Sequence, residues 1–276
     1  MSRFVCGRFE LDLSQPRIMA IINLTDDSFS GDGLRGNVAA ALQRAEKALQ
    51  EGAEILDLGA ESTRPGCEPV PEAQEIERVA AAVEALHALN VPLSIDTLKP
   101  AVMRAALVAG ADMINDIKGF EGQGAVEAVT DSRCGLCVMH MQGEPRTMQH
   151  QPRYNDVVAE VADYLARRVQ VFDAAGVARE RIVLDPGFGF GKSVAHNYSM
   201  LKHFSRFAVE GLPVLAGLSR KSMLGAVTGA LVNQRLVASV TGAVLAVEHG
   251  ARIVRVHDVA ATRDALQVWR ACAEAA

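Results

Sequence analysis

Eight times over, a short apolar run rich in β-branched residues is followed by a polar loop and then by an amphipathic helix. That alternation constrains the fold more than any other feature of the chain. Strands are predicted at 18–22, 55–58, 93–95, 113–115, 136–140, 182–184, 214–216 and 253–256. Helices are predicted near 37–51, 71–89, 99–109, 124–130, 154–175, 197–204 and 234–249, with a last one at 260–275. Gly52, Gly110, Gly176 and Gly250 stand just past helical residues, where a left-handed cap is wanted. Eight strand–helix units in 276 residues predict an α/β fold, a (β/α)8 TIM barrel, with a doubly wound parallel sheet as the alternative. An alternating segment at 4–13 reads as a small N-terminal β-hairpin that could plug one barrel end. No linker breaks the pattern, so residues 1–276 are expected to form a single domain.

Composition narrows the function classes. A hydrophobic fraction of 49% supports a large core. A net charge of −5 without a basic run gives no electrostatic case for nucleic acid. No apolar run reaches membrane-spanning length, and the first residues lack the charged-then-apolar layout of a secretion signal. A cytoplasmic protein is expected. Cys6, Cys67, Cys134, Cys137 and Cys272 are odd in number and scattered, which argues for reduced thiols rather than a disulfide framework. Cys134 and Cys137 have metal-like spacing, but no second pair accompanies them.

In a barrel, chemistry sits at the C-terminal ends of the strands. There the sequence places Asn23, Asp57, Asp96, Asn115-Asp116, Met139-His140-Met141, Asp185, Ser219-Arg220-Lys221-Ser222, and Arg255 with His257. One polar residue at a strand end reads as a helix cap. So many converging on one mouth read as a site. Asp96, Asn115 and Asp185 make an acceptor-rich half suited to the N–H edge of a heterocycle, with Lys221 available for its carbonyl and ring nitrogen. Arg64, Arg255, His257, Thr63 and Asn23 make a donor-rich half suited to a phosphate or pyrophosphate. Ser219–Ser222 opens a helix, whose free N–H groups favour a second anion. No nucleophilic triad is apparent.

The stretch Ile182–Lys192 concentrates these features: a short strand, Asp185 at its end, then Pro186 and three glycines alternating with Phe188 and Phe190. A buried carboxylate beside aromatic faces suits a planar ligand with a guanidine-like edge. Two nucleotide motifs fail here. Pro186 stands where a Walker A loop needs glycine, and Lys192 where G-x-G-x-x-G needs one.

Taken together, these segments resemble the dihydropteroate synthase family over nearly the whole chain. The matching stretches are 23–30 (NLTDDSFS), 57–66 (DLGAESTRPG), 94–97 (SIDT), 115–117 (NDI), 139–141 (MHM), 185–192 (DPGFGFGK), 219–222 (SRKS) and 255–258 (RVHD). Each is weak to moderate alone; their order and spacing are specific. The resemblance implies an enzyme, a transferase of folate biosynthesis and a sulfonamide target. It would join 6-hydroxymethyl-7,8-dihydropterin diphosphate to 4-aminobenzoate and release pyrophosphate with Mg²⁺ present. It further implies that Asp96, Asn115, Ile117, Met139, Asp185, Lys221 and Arg255 bind the pterin. Asn23, Thr63, Arg64, Arg255 and His257 would hold the pyrophosphate, Asn23 with the Mg²⁺. Phe29, Pro65, Phe190, Lys221 and Ser222 would line the aminobenzoate pocket. Arg64, Lys221, Arg255 and His257 would act in catalysis, and a homodimer is expected.

The chain departs from the family pattern at Asp26, where Pro is usual, at Gly31-Asp32-Gly33, where Asp-Gly-Gly is usual, and at Ala60, where Gly is usual. None removes a functional side chain; loss of Pro frees the backbone of the first loop. Corrinoid methyltransferases that use methyltetrahydrofolate share the acidic half, but the Ser219-Arg220-Lys221 stretch and the two substrate loops weigh against them. A silent pterin-binding homologue is disfavoured by the intact donor set.

Overall fold

The structure, a computed structural model, describes residues 3–24, 33–61, 70–144 and 147–275. Two strands, β1 (Arg3–Cys6) and β2 (Phe9–Asp12), pair antiparallel as a hairpin. Eight more follow: β3 (Arg17–Asn23), β4 (Ile55–Gly59), β5 (Leu93–Asp96), β6 (Met113–Asp116), β7 (Gly135–Met139), β8 (Ile182–Asp185), β9 (Leu215–Ala216) and β10 (Ile253–Val256). They form one parallel sheet in the order β8-β7-β6-β5-β4-β3-β10-β9, and a parallel bridge between Leu184 and Val214 brings its two ends together. The strands therefore close into the expected barrel, not a doubly wound sheet. All eight predicted strands are present, each bound within one residue of its expected place.

The pleat explains how the same strands build both a core and a mouth. Alternate residues face outward, where Leu56, Leu58, Ile95, Ile114, Leu136, Val138, Leu184 and Val254 pack under the helices. The other parity faces inward. Near the N-terminal end it carries Met19, Ile55, Met113, Cys137, Val183, Leu215 and Ile253, which pack with Phe4, Cys6 and Leu13 of the hairpin segment. The hairpin thus plugs the barrel floor. Gly135 lacks a side chain where one would stand 2.6 Å from the Phe4 ring. Arg8 fastens the plug through a two-point ion pair to buried Asp112, which also accepts the Leu93 N–H.

Two residues further along four of the strands, the same inward parity turns polar: Asp57 after Ile55, Asn115 after Met113, Asp185 after Val183, Arg255 after Ile253. Among the described residues, helices α1 (Gly33–Glu51), α2 (Glu72–Leu86), α3 (Pro100–Ala109), α4 (Ala125–Val129) and α5 (Val157–Ala174) precede the three that bear on the site, α6 (Val194–Lys202), α7 (Ser222–Thr228) and α8 (Leu236–Glu248). Helices α6 and α7 follow β8 and β9. Gly52, Gly110, Gly176 and Gly250 all have positive φ, as capping glycines should. Cys134 and Cys137 belong to the outer and inner clusters respectively, so the pair shares no face; with Cys6 and Cys272 they are free thiols.

Candidate active site at the barrel mouth

The acceptor half assembles as its parity dictates. Asp57, Ser94, Asp96, Asn115 and Asp185 are carried inward on β4, β5, β6 and β8, and all but Asp96 are buried outright. Ser94 donates to Asp57 Oδ1 at 2.6 Å, and Asn115 Nδ2 approaches Asp57 Oδ2 at 3.5 Å. Asp96 Oδ1 and Asn115 Oδ1 are buried without a hydrogen-bond partner. Unmet buried acceptors are costly unless a ligand completes them. Asp185 Oδ1 accepts the Gly187 N–H at 2.7 Å, which fixes the carboxylate's rotation. Asp116, beside Asn115, has the outward parity; it accepts the Lys118 and Phe120 N–H groups and shapes the loop after β6.

Arg255 does not stay in a separate donor half. Its Nε donates to Asp57 Oδ2 at 2.6 Å and its Nη2 to Asp96 Oδ2 at 2.9 Å. Burial works against its charge, but Asp57 and Asp96 more than offset this and hold it firmly protonated. Burial pushes Asp96 up to about 7 against the opposing pull of Arg255. Asp185 is also raised by burial, with Lys221 opposing. Burial pushes Lys221 down to about 8, against the pull of Asp185. The Lys221 ammonium donates to the Phe188 carbonyl and stands 4.7 Å over the Phe190 ring. His257 shares a 3.0 Å bond through Nδ1 with Ser219 Oγ, joining the ends of β9 and β10.

The two phenylalanines of the glycine-rich loop part company, which corrects the expectation of two aromatic faces beside Asp185. Phe188 is fully buried and stacks on Phe204 at 6.0 Å, whereas half-buried Phe190 stays beside Lys221. Lys192 organises this loop. Its Nζ meets His140 Nδ1, the Gly187 carbonyl and the Phe190 carbonyl, each at 2.9 Å. Three acceptors match an ammonium's three donors. Burial pushes His140 down to about 2, with Lys192 adding to the effect, so the ring is neutral and Nδ1 can accept. Asn197 Oδ1 takes the Gly189 N–H at 2.7 Å. Gly187 has φ +70, and a Cβ there would stand 2.0 Å from the His140 carbonyl oxygen, so no other residue fits.

Ile117 and Met139 are buried yet belong to neither apolar cluster, consistent with lining a slot rather than filling the core. Asn23 ends β3 and is half-buried, and Ser222 is exposed at the start of α7. Phe29, Thr63, Arg64 and Pro65, with Asp26, Gly31 and Asp32, lie outside the described residues. Sequence reasoning left Asp57, Ser94, Lys192, His140 and Asn197 without roles. The inward parity of Asp57 and Ser94 was a signal for two of them. Nothing local marks Lys192, whose side-chain partner, His140, comes from another loop.

The family model described as "Pterin binding enzyme" matches residues 19–257. The dihydropteroate synthase of Haemophilus influenzae is 49% identical, the match covering 96% of this chain and 97% of that one. The crystal structure of Burkholderia cenocepacia dihydropteroate synthase complexed with 7,8-dihydropteroate is 55% identical, with TM-score 0.91 and coverage of 99% and 96%. Yersinia pestis dihydropteroate synthase in a sulfonamide drug complex is 44% identical, with TM-score 0.93 and coverage of 99% and 100%.

Proposed function

The chain belongs to the pterin binding enzyme family, among the dihydropteroate synthases, and from that premise we infer which of its groups serve each part of the reaction. It is a transferase of folate biosynthesis. It condenses 6-hydroxymethyl-7,8-dihydropterin diphosphate with 4-aminobenzoate to give 7,8-dihydropteroate and pyrophosphate. One observation supports the pterin assignment above all: Asp96 Oδ1 and Asn115 Oδ1, in the half of the mouth that Asp185 also faces, are buried and unpaired. A pterin edge offers N–H donors to such acceptors, and Lys221 offers a donor to its carbonyl and ring nitrogen. Arg255, held by Asp57 and Asp96, presents a flat guanidinium to a ring face. Ile117 and Met139 pad the slot.

Asn23, Thr63, Arg64, Arg255 and His257 receive the diphosphate. Among the described residues no cluster of His, Cys, Asp or Glu could hold a metal alone. A single strand-end amide such as Asn23 fits Mg²⁺, which takes few protein ligands and relies on substrate phosphates and water. Bound there with the diphosphate, it would supply neutralising charge for the leaving group. Phe29, Pro65, Phe190, Lys221 and Ser222 form the aminobenzoate subsite. Sulfonamides carry an arylamine opposite an anionic group, as 4-aminobenzoate does, and compete there.

The arylamine is neutral at pH 7, so no base is needed to make the nucleophile. Breaking the carbon–oxygen bond is the demanding step. Arg64, Arg255 and His257 stabilise charge growing on the pyrophosphate, while Asp96 and Asp185 support electron donation from the pterin into the methylene cation. We therefore place cleavage before nucleophilic attack. Pyrophosphate release that requires both substrates and Mg²⁺ tests the reaction. Bond order is tested by label exchange at the bridging oxygen without aminobenzoate, paired with a secondary isotope effect at the methylene. No scrambling and a near-unity effect on the chemical step would exclude dissociation.

We further propose a homodimer and a cytoplasmic site of action. No helix among the described residues is long and apolar enough to cross a membrane. Val227, Leu231, Val232, Leu236, Val237 and Leu245 are exposed large apolar residues along α7, its following loop and α8, whereas α9 (Val259–Ala273) exposes Val268 alone among such residues. We therefore centre the proposed self-association face on α7 and α8.

A further inference from the structure

We propose that Arg235 and Ser239, on the opening turns of α8, are positioning residues that aim Lys221 into the site. The inference rests on the reading of Lys221 as a substrate-facing group. Arg220, directly before Lys221, has φ +59, an uncommon conformation for a long side chain. Both of its backbone polar groups go to these two residues. The Arg220 N–H donates to Ser239 Oγ at 2.9 Å, and its carbonyl accepts from Arg235 Nη1 at 2.9 Å. Ser239 Oγ in turn donates to the Arg235 carbonyl at 2.6 Å, so its lone pair is aimed at Arg220. The Arg220 guanidinium pairs with Asp258, just after the end of β10.

One guanidinium also spans α7. Arg235 Nε donates to the Ala230 carbonyl at 3.0 Å, so Arg235 joins the residue two before this helix to the residue two after it. Between those contacts it lies against Gly225. A Cβ at 225 would stand 2.3 Å from Arg235 Nη2 and 2.6 Å from Cζ. Gly225 has no positive φ, and glycine is a poor choice inside a helix. Its place is explained by room for the guanidinium. Lys221 leaves this clamp with its ammonium on the Phe188 carbonyl and over Phe190. A different turn at Arg220 would send it elsewhere.

Gly225→Ala gives a test that leaves Arg235 in the chain, because the obstructed group is the mobile end of a side chain. Steady-state kinetics with both substrates and thermal melts are measured for Gly225→Ala, Arg235→Ala and the double variant. A shift of about 1 Å in an aligned group costs on the order of 10²-fold, so each single variant is expected to lose 10- to 100-fold in kcat/KM for 4-aminobenzoate. The double variant should match Arg235→Ala, because the three nearest atoms to the added methyl all belong to the Arg235 guanidinium. The alkaline limb of kcat/KM should move upward from about pH 8 as Lys221 regains water, which simple destabilisation would not cause. Ser239→Ala should act in the same direction and Ser239→Thr should restore activity; this pair serves if the Arg235 variants do not fold. Losses that multiply in the double variant, or an unmoved limb in folded variants, would overturn the proposal. Lys221→Gln separates the two levels: full activity there would remove the reading of Lys221 itself, whereas an impaired Lys221→Gln beside unaffected clamp variants would remove only the coupling.

Discussion

Asp57 Oδ2 accepts the Nε–H of Arg255 at 2.6 Å, linking β4 to β10 across the interior behind β3. The carboxylate also takes the Ser94 hydroxyl and approaches the Asn115 amide, so one buried side chain orients three groups of the mouth.

Asp57→Ala would leave Arg255 with a single carboxylate and strand Ser94 in an apolar setting. Removing one partner of a buried ion pair costs about 3–5 kcal/mol. Urea denaturation should show a loss of that size, with pterin binding weakened as well. A variant as stable as the parent would show that Asp57 is not the organiser.

Asp185→Asn keeps the shape and can keep the bond from the Gly187 N–H, but it turns a donor toward the pterin edge. Pterin binding should weaken by roughly 2–4 kcal/mol. Calorimetric titration reads this directly, and near-parental affinity would remove Asp185 from the pterin site.

Lys221 gives the pH dependence a definite sign. Its ammonium is pushed down to about 8 by burial, so kcat/KM, which reports the free enzyme, should fall as pH rises through about 8. Lys221→Gln should flatten that limb. For stability, the folded pKa lies below the unfolded value near 10.4. The folded state then binds fewer protons between the two, and stability rises with pH in that window. What Lys221 contributes there is lost as pH falls through about 8. The stability advantage of Lys221→Met over the parent should accordingly shrink as pH rises.

Arg64 and Phe29 should separate by kinetic phase. Arg64→Ala should slow the chemical step by about 2–4 kcal/mol, as for loss of one preorganised oxyanion donor. Phe29→Ala should raise the apparent KM for 4-aminobenzoate far more than it weakens pterin binding. Single-turnover experiments distinguish the two, and identical profiles would argue against their assignment to cleavage and pocket.

Val237, the most exposed large apolar residue on α8, should tolerate glutamate in a monomer and not in a dimer. Val237→Glu is expected to halve the mass seen by light scattering at micromolar concentration. A monomer mass for the parent protein would remove the dimer.

The parts of this molecule written in local period were legible in the sequence. Eight apolar runs gave eight strands, and period-2 alternation carried Asp96, Asn115, Asp185 and Arg255 to the inner face, where they stand. What the sequence did not reveal depends on distant partners. Phe188 and Phe190 look equivalent until Phe204 supplies a stacking surface for one of them. Lys192 resembled part of a failed nucleotide motif, yet His140, 52 residues earlier, shows it to be a buried strut. The crossing of Arg255 into the acidic half likewise follows from the pairing of β10 with β3, which places β4 within its reach.

The plugged floor has a kinetic consequence. With Phe4, Cys6 and Leu13 sealed against the inner apolar layer, the barrel is a vessel open at one end. Asn115 and Asp185 lie inside that opening, while Ser222 stands exposed at its rim and Phe190 is only half-buried. With the substrates placed as proposed, traffic should be last in, first out. On that proposed placement, a pterin bound at the inner acceptors should arrive before an aminobenzoate fills the rim, and a bound aminobenzoate or sulfonamide should trap whatever lies beneath it. Inhibitors of the rim and ligands of the interior should consequently strengthen one another's hold, although they touch different walls.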